Sequence, residues 1–144
     1  MKIRLTKQFS FEMAHALTRY DGPCRNIHGH SYKLDVTVEG IPQTDPNSPK
    51  QGMVIDFTEL KRIVNENVIG KVDHALLLSD ETPLSVVEQL RNNYERVTVL
   101  SCQPTTENLL FIFGELITSA LPEGVTLYSL RLHETDSSFA ELIL

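Results

Sequence analysis

The chain has 144 residues and a formal net charge of −6, a length that suits one domain, residues 1–144. Its apolar share of 41% and charged share of 22% are those of an ordinary globular protein, which excludes a disordered or fibrous chain. With an isoelectric point near 5.3 and no Lys/Arg cluster, it offers no nucleic-acid-binding surface, though a local basic pocket for a small anion stays compatible.

Positions 3–15 alternate, with Ile3, Leu5, Phe9, Phe11 and Met13 in odd phase, and predict a strand. This N-terminal stretch has no uninterrupted apolar run, so neither a signal peptide nor a membrane span is expected. Two cysteines far apart make no disulfide framework, and the expected compartment is the cytoplasm. Positions 30–40 alternate more cleanly, with Tyr32, Leu34, Val36 and Val38 on one face. The segment IPQTDPNSPKQG predicts a surface loop or wide hairpin.

Asp56 or Thr58 reads as the N-cap of a helix running to about Ile69. Leu60, Ile63, Val64 and Val68 recur in it at helical spacing, and Gly70 is placed to stop it. Pro83 opens a weaker helical turn through Asn93, Lys71-Val72 and Leu78-Ser79-Asp80 read as loop, and VTVL at 97–100 predicts a short strand. A second strong helix spans 106–120, with Leu109, Leu110, Ile112, Phe113, Leu116 and Ile117 on a wide apolar face. Two final strands, 125–134 and 138–144, flank a Thr-Asp-Ser-Ser turn. This order implies an α+β fold, with helices packed against an antiparallel sheet.

His28 and His30 flank Gly29 at the start of a strand, so both imidazoles project from one face. His15 ends the first strand and approaches them if the two strands pair. Three imidazoles form the His₃ set of a metal site with an open fourth position; zinc is the commonest catalytic match, with copper and nickel as alternatives. Cys24 has two readings, a fourth ligand closing a structural site or a base beside an open metal. Local spacing does not separate them.

Asp73-His74 is either a solvated loop pair or a histidine base whose tautomer a carboxylate sets, and the second requires an irregular backbone. Thr105-Thr106-Glu107 reads first as a helix cap with an acid in the first turn. Taken singly, Glu134 is a weak candidate, His133 has no motif support, and Cys102 reads as a small buried residue.

Taken together, FSFEMAH, C-x₃-H-G-H, VIDFTELK, DH, PTTEN and HET occur in the order found in the 6-pyruvoyltetrahydropterin synthase superfamily, and the chain resembles it from about Phe9 to Thr135. The three-residue gap between Cys24 and His28 is similar to the bacterial 6-carboxytetrahydropterin synthases of queuosine biosynthesis. The resemblance implies a T-fold: a four-stranded antiparallel sheet with two main helices on one face. In it, trimers close a barrel and stack into a homohexamer. It implies zinc on His15, His28 and His30, Cys24 as proton-abstracting residue, and Asp73 and His74 as a relay pair. It also implies that Glu134 grips the guanidine-like edge of a pterin, with Thr105, Thr106 and Glu107 in the pterin pocket.

The implied reaction converts 7,8-dihydroneopterin triphosphate to 6-carboxy-5,6,7,8-tetrahydropterin, acetaldehyde and triphosphate, with no nucleic-acid or membrane partner. One alternative eliminates triphosphate only and gives 6-pyruvoyltetrahydropterin. Another, from a different class, is a non-catalytic assembly protein with Cys24 ligated to a structural zinc.

Overall fold

A computed structural model describes all residues, Met1–Leu144. The alternating N-terminal segments form two long strands, β1 (Ile3–His15) and β2 (His28–Gly40), paired antiparallel. Their register sets Phe9 opposite Leu34, Phe11 opposite Tyr32, Met13 opposite His30 and His15 opposite His28. All eight side chains therefore share one face, and a one-residue slip would turn every one of them to the other.

The helix after the Pro-rich loop begins as expected. Asp56 accepts the backbone N–H of Thr58 at 2.8 Å and caps α1 (Phe57–Val64), which buries Leu60, Ile63 and Val64. Gly70 does not stop it. The chain widens into a π-helical turn (Asn65–Ile69) and continues through α2 (Gly70–Val72), with the Gly70 N–H directed to the Asn65 carbonyl. A Cβ on Gly70 would stand 2.9 Å from that carbonyl oxygen, so the wide turn accepts only glycine there. Gly70→Ala is expected to cost about 1–3 kcal/mol, read as a lower urea midpoint at unchanged slope.

The remaining elements are β3 (Ala75–Ser79), α3 (Leu84–Asn93), β4 (Val97–Leu100), α4 (Thr106–Ala120), β5 (Val125–Thr135) and β6 (Ser138–Ile143). The sheet runs β4-β3-β1-β2-β5-β6. The expected four-stranded antiparallel sheet is thus only its β1-β2-β5-β6 part. Two strands, β3 parallel to β1 and β4 parallel to β3, widen it into a mixed sheet of six. β3 occupies residues read from the sequence as partly loop. It is buried on both faces, with Ala75 and Leu77 in the main core and Leu78 in a second apolar cluster, so it lacks the alternation that marks β1 and β2.

α1 and α4 cover one face of the sheet, where Leu60, Ile63, Leu109, Phe113 and Ile117 join the inward residues of β1, β2 and β5. α3 adds Val87 to Ala16, Leu78 and Val97 in the smaller cluster. The outward residues of the long strands are polar and pair across the sheet, as in Gln8 with Asp35 and Thr6 with Thr37, both at 2.8 Å. No helix is long and apolar enough to cross a membrane.

Candidate metal centre

The β1–β2 register brings three imidazoles to one end of the core. His15 is buried, and its Nδ1–H donates to the Pro104 carbonyl at 2.7 Å. His28 Nδ1–H donates to the Asn26 carbonyl, also at 2.7 Å. Each bond places the proton on Nδ1 and turns the Nε2 lone pair inward, as is usual for histidines that bind metals. The two Nε2 atoms lie 3.1 Å apart with no proton between them. Burial holds the His15 pKa below its ordinary value and the neighbouring His28 adds to this, while the bond to Pro104 opposes it. The ring is therefore neutral at pH 7.

Glu134 completes the group. β5 carries an irregularity at Tyr128, where Thr37 pairs with Ser129 but Val38 with Leu127. The inward phase passes there from Val125 and Leu127 to Leu130, Leu132 and Glu134. The Glu134 carboxylate then lies beside the histidines, with Oε1 2.9 Å from His30 Nε2 and 3.4 Å from His15 Nε2. Thr106, at the start of α4, donates its hydroxyl to Oε2 at 3.1 Å. The ligand atoms of His15, His28, His30 and Glu134 all fall within 4.8 Å of one another.

This donor set fits a metal ion. His30 Nε2 is buried and unpartnered, because the carboxylate oxygen near it approaches off the hydrogen-bonding axis. The inward lone pairs of His15 and His28 and the nearby carboxylate repel one another, and a cation or a proton between them relieves that repulsion. A tetrahedral dication with bonds of about 2.0–2.2 Å spaces its ligands about 3.4 Å apart. The observed 2.9, 3.1 and 3.4 Å lie at or somewhat below that spacing.

Cys24 sits half-buried in a 3₁₀ turn (Pro23–Arg25) of the β1–β2 connection, and the Leu17 N–H donates to its carbonyl at 3.0 Å. It is not among the four converging ligands. The Tyr32 phenol is pushed upward by burial first, then by Glu134 and by Cys24. Tyr32 is buried and its hydroxyl has no partner. The sequence places Tyr32 on the apolar face of its strand but does not mark it as a site residue, although it continues the His28, His30 phase along β2.

Thr105 caps α4 by accepting the Asn108 N–H at 3.3 Å, and Glu107 is exposed in the first turn. Gln103 was also missed. Its side-chain amide takes both the N–H and the C=O of Thr18, at 3.0 and 2.6 Å, and so ties the Cys24 connection to the loop that carries Pro104. Backbone carbonyls and such clamps have no sequence signature, since any residue supplies them.

Asp73 and His74 are not brought to this cluster. The π turn delivers them to the backbone of β1, where Asp73 Oδ1 accepts the Glu12 N–H at 3.0 Å and the His74 N–H donates to the Glu12 carbonyl. His74 has φ of +60°, a left-handed conformation that costs a non-glycine residue about 1–2 kcal/mol. Its Nδ1 lies 3.1 Å from Asp73 Oδ1, which is the irregular backbone the pair requires to act together. His74 lines a cleft of about 890 Å³ that Glu12, Ala14, Gly29 and Ser31 border, and His30 also reaches it. His133 also lies away from the centre, 3.7 Å from Asp35 on the polar face.

A family model described as 6-pyruvoyl tetrahydropterin synthase matches residues 4–143. The chain belongs to that family. Among its pterin synthase relatives, the 6-carboxy-5,6,7,8-tetrahydropterin synthase of Haemophilus influenzae is 36% identical over 96% of each chain. The 6-pyruvoyl tetrahydrobiopterin synthase of Dictyostelium discoideum is 35% identical over 82% of this chain and 71% of that one. The solved structure of the Caenorhabditis elegans 6-pyruvoyl tetrahydropterin synthase superposes with a TM-score of 0.71 at 26% identity, covering 100% of this chain and 96% of that one.

Proposed function

We propose that the chain is a zinc-dependent 6-carboxy-5,6,7,8-tetrahydropterin synthase that takes 7,8-dihydroneopterin triphosphate to 6-carboxytetrahydropterin, acetaldehyde and triphosphate, within queuosine biosynthesis in the cytoplasm. The observation that carries it is the convergence of His15, His28, His30 and Glu134 on one point at the end of the core. The Haemophilus relative supports the carboxy-forming branch.

His15, His28 and His30 would hold zinc, and the ion would supply Lewis-acid polarisation of the substrate's side-chain hydroxyls. The Cys24 thiolate removes the carbon-bound proton next to them. Glu134, steadied through Thr106, grips the guanidine-like edge of the pterin, and Thr105 and Glu107 border the same pocket. His74, its tautomer set by Asp73, moves the second proton during triphosphate loss and carbon–carbon cleavage. General acid–base steps of this kind are each worth about 10²–10⁴-fold.

Because Asp73 and His74 are held on the Glu12 backbone and not among the converging histidines, the relay pair serves the site of a neighbouring subunit, in a homohexamer built as a dimer of trimers. That arrangement also covers the exposed β4 and β6 edges through barrel closure. The Dictyostelium relative supports a second reading, loss of triphosphate alone. Incubating zinc-loaded protein with the triphosphate substrate decides between them: acetaldehyde equimolar with product is expected, and triphosphate release without acetaldehyde establishes the pyruvoyl-forming reaction.

A further inference from the structure

We propose that Gln103 is a positioning residue for Cys24: its side-chain amide locks the segment to which the Cys24 turn is tied, and so fixes where the thiol stands. The assignment rests on the proposed reading of Cys24 as the proton-abstracting residue.

The side-chain oxygen of Gln103 accepts the Thr18 N–H at 3.0 Å, and its Nε2–H donates to the Thr18 carbonyl at 2.6 Å. Neither Thr18 group has a backbone partner, so one side chain satisfies both. Thr18 follows Leu17, whose N–H donates to the Cys24 carbonyl at 3.0 Å. The clamp therefore acts one residue from the bond that closes the Cys24 turn onto the end of β1. Gln103 is itself fixed. Its carbonyl accepts the Thr105 N–H at 2.8 Å and the Asn108 side-chain amide at 2.9 Å, which joins it to the first turn of α4.

Strain next to the clamp points the same way. Arg19 has φ of +63°, and its exposed side chain reaches Glu81 only at 3.9 Å. A non-glycine residue keeps this conformation where its surroundings impose it. The peptide group entering Arg19 carries the Thr18 carbonyl, and Gln103 sets the orientation of that group.

The metal ligands do not depend on the amide. His15 and His28 are oriented by the backbone carbonyls of Pro104 and Asn26. The bonds of the Gln103 carbonyl, which seat Pro104, survive removal of the side chain. Its loss accordingly shifts the thiol and leaves the imidazoles in place.

Gln103→Ala removes both bonds to Thr18, and Gln103→Met removes them while keeping the length of the side chain. Both variants are expected to lower kcat for dihydroneopterin triphosphate about 10–100-fold, the cost of a slightly misplaced reacting group. KM and zinc content are expected to stay unchanged. Iodoacetamide, followed by peptide mass spectrometry, should alkylate the half-buried Cys24 several-fold faster in both variants than in wild type.

Full activity in Gln103→Met shows that bulk and not the amide is used, and overturns the proposal. A rise in KM at unchanged kcat, or zinc lost in step with activity, also overturns it, because the side chain then serves substrate binding or the metal. If Gln103→Ala does not fold, Gln103→Met carries the comparison. Turnover that survives Cys24→Ala removes the base reading by itself. The alkylation rates then still decide whether Gln103 holds the thiol, and equal rates in wild type and variants show that it does not.

Discussion

Cys24→Ala is expected to abolish turnover of dihydroneopterin triphosphate while leaving about one zinc per chain. The expectation follows from the separation of two functions that the sequence places only four positions apart. His28 belongs to the converging donors and Cys24 does not. Its 3₁₀ turn is held through its own backbone, by the Leu17 N–H, so loss of the thiol leaves the turn in place. Removing the base forfeits about 10²–10⁴-fold in rate. The three imidazoles, each oriented or placed without Cys24, keep the ion. Metal analysis and a single-turnover assay on one preparation check both halves. Loss of zinc along with activity would show that the thiolate is a ligand and the site closed, and a sulfur neighbour at about 2.3 Å in zinc-edge absorption would say the same.

Two inactive variants mixed together are expected to regain activity. Cys24→Ala removes the base from a chain's own site, and His74→Ala removes the relay group that the chain holds on the Glu12 backbone. If subunits are exchanged by unfolding and refolding an equal mixture, about a quarter of the sites combine an intact Cys24 with an intact His74 from a neighbour. Recovery near that fraction, from parents that are each inactive, is the expected result. No recovery in mixed oligomers would place both residues in one chain's site, and would require Asp73–His74 to leave the backbone of β1. Such a departure is opposed by the Glu12 N–H bond to Asp73 and the His74 N–H bond to the Glu12 carbonyl.

The cost of the left-handed His74 conformation is consistent with a residue placed for chemistry. The π turn before it has the same character. Both would relax if the chain closed α1 with an ordinary glycine stop, but Asp73 would then no longer reach the Glu12 N–H.

Much of this was legible from local pattern. The period of two along β1 and β2 put His15, His28, His30 and Tyr32 in phase with the core, and the period of α1 and α4 located both main helices. Capping chemistry placed Asp56 and Thr105, because a side-chain oxygen and an orphan N–H two or three residues apart meet whatever the rest of the chain does. The motif order around these residues pointed to the family. Other features depend on contacts between distant segments. The strand at 75–79 is five residues buried on both faces, and nothing local distinguishes it from loop until β1, some sixty residues away in sequence, supplies its hydrogen bonds. Val125 and Leu127 put the inward phase of β5 on odd positions, which aims Glu134 at solvent. The irregularity opposite Thr37 and Val38 reverses that phase and delivers the carboxylate to the histidines. Phase along a strand is a property of neighbours in sequence, whereas a bulge is set by the partner strand. The convergence of the three histidines could therefore be read from the chain, and the company they keep could not.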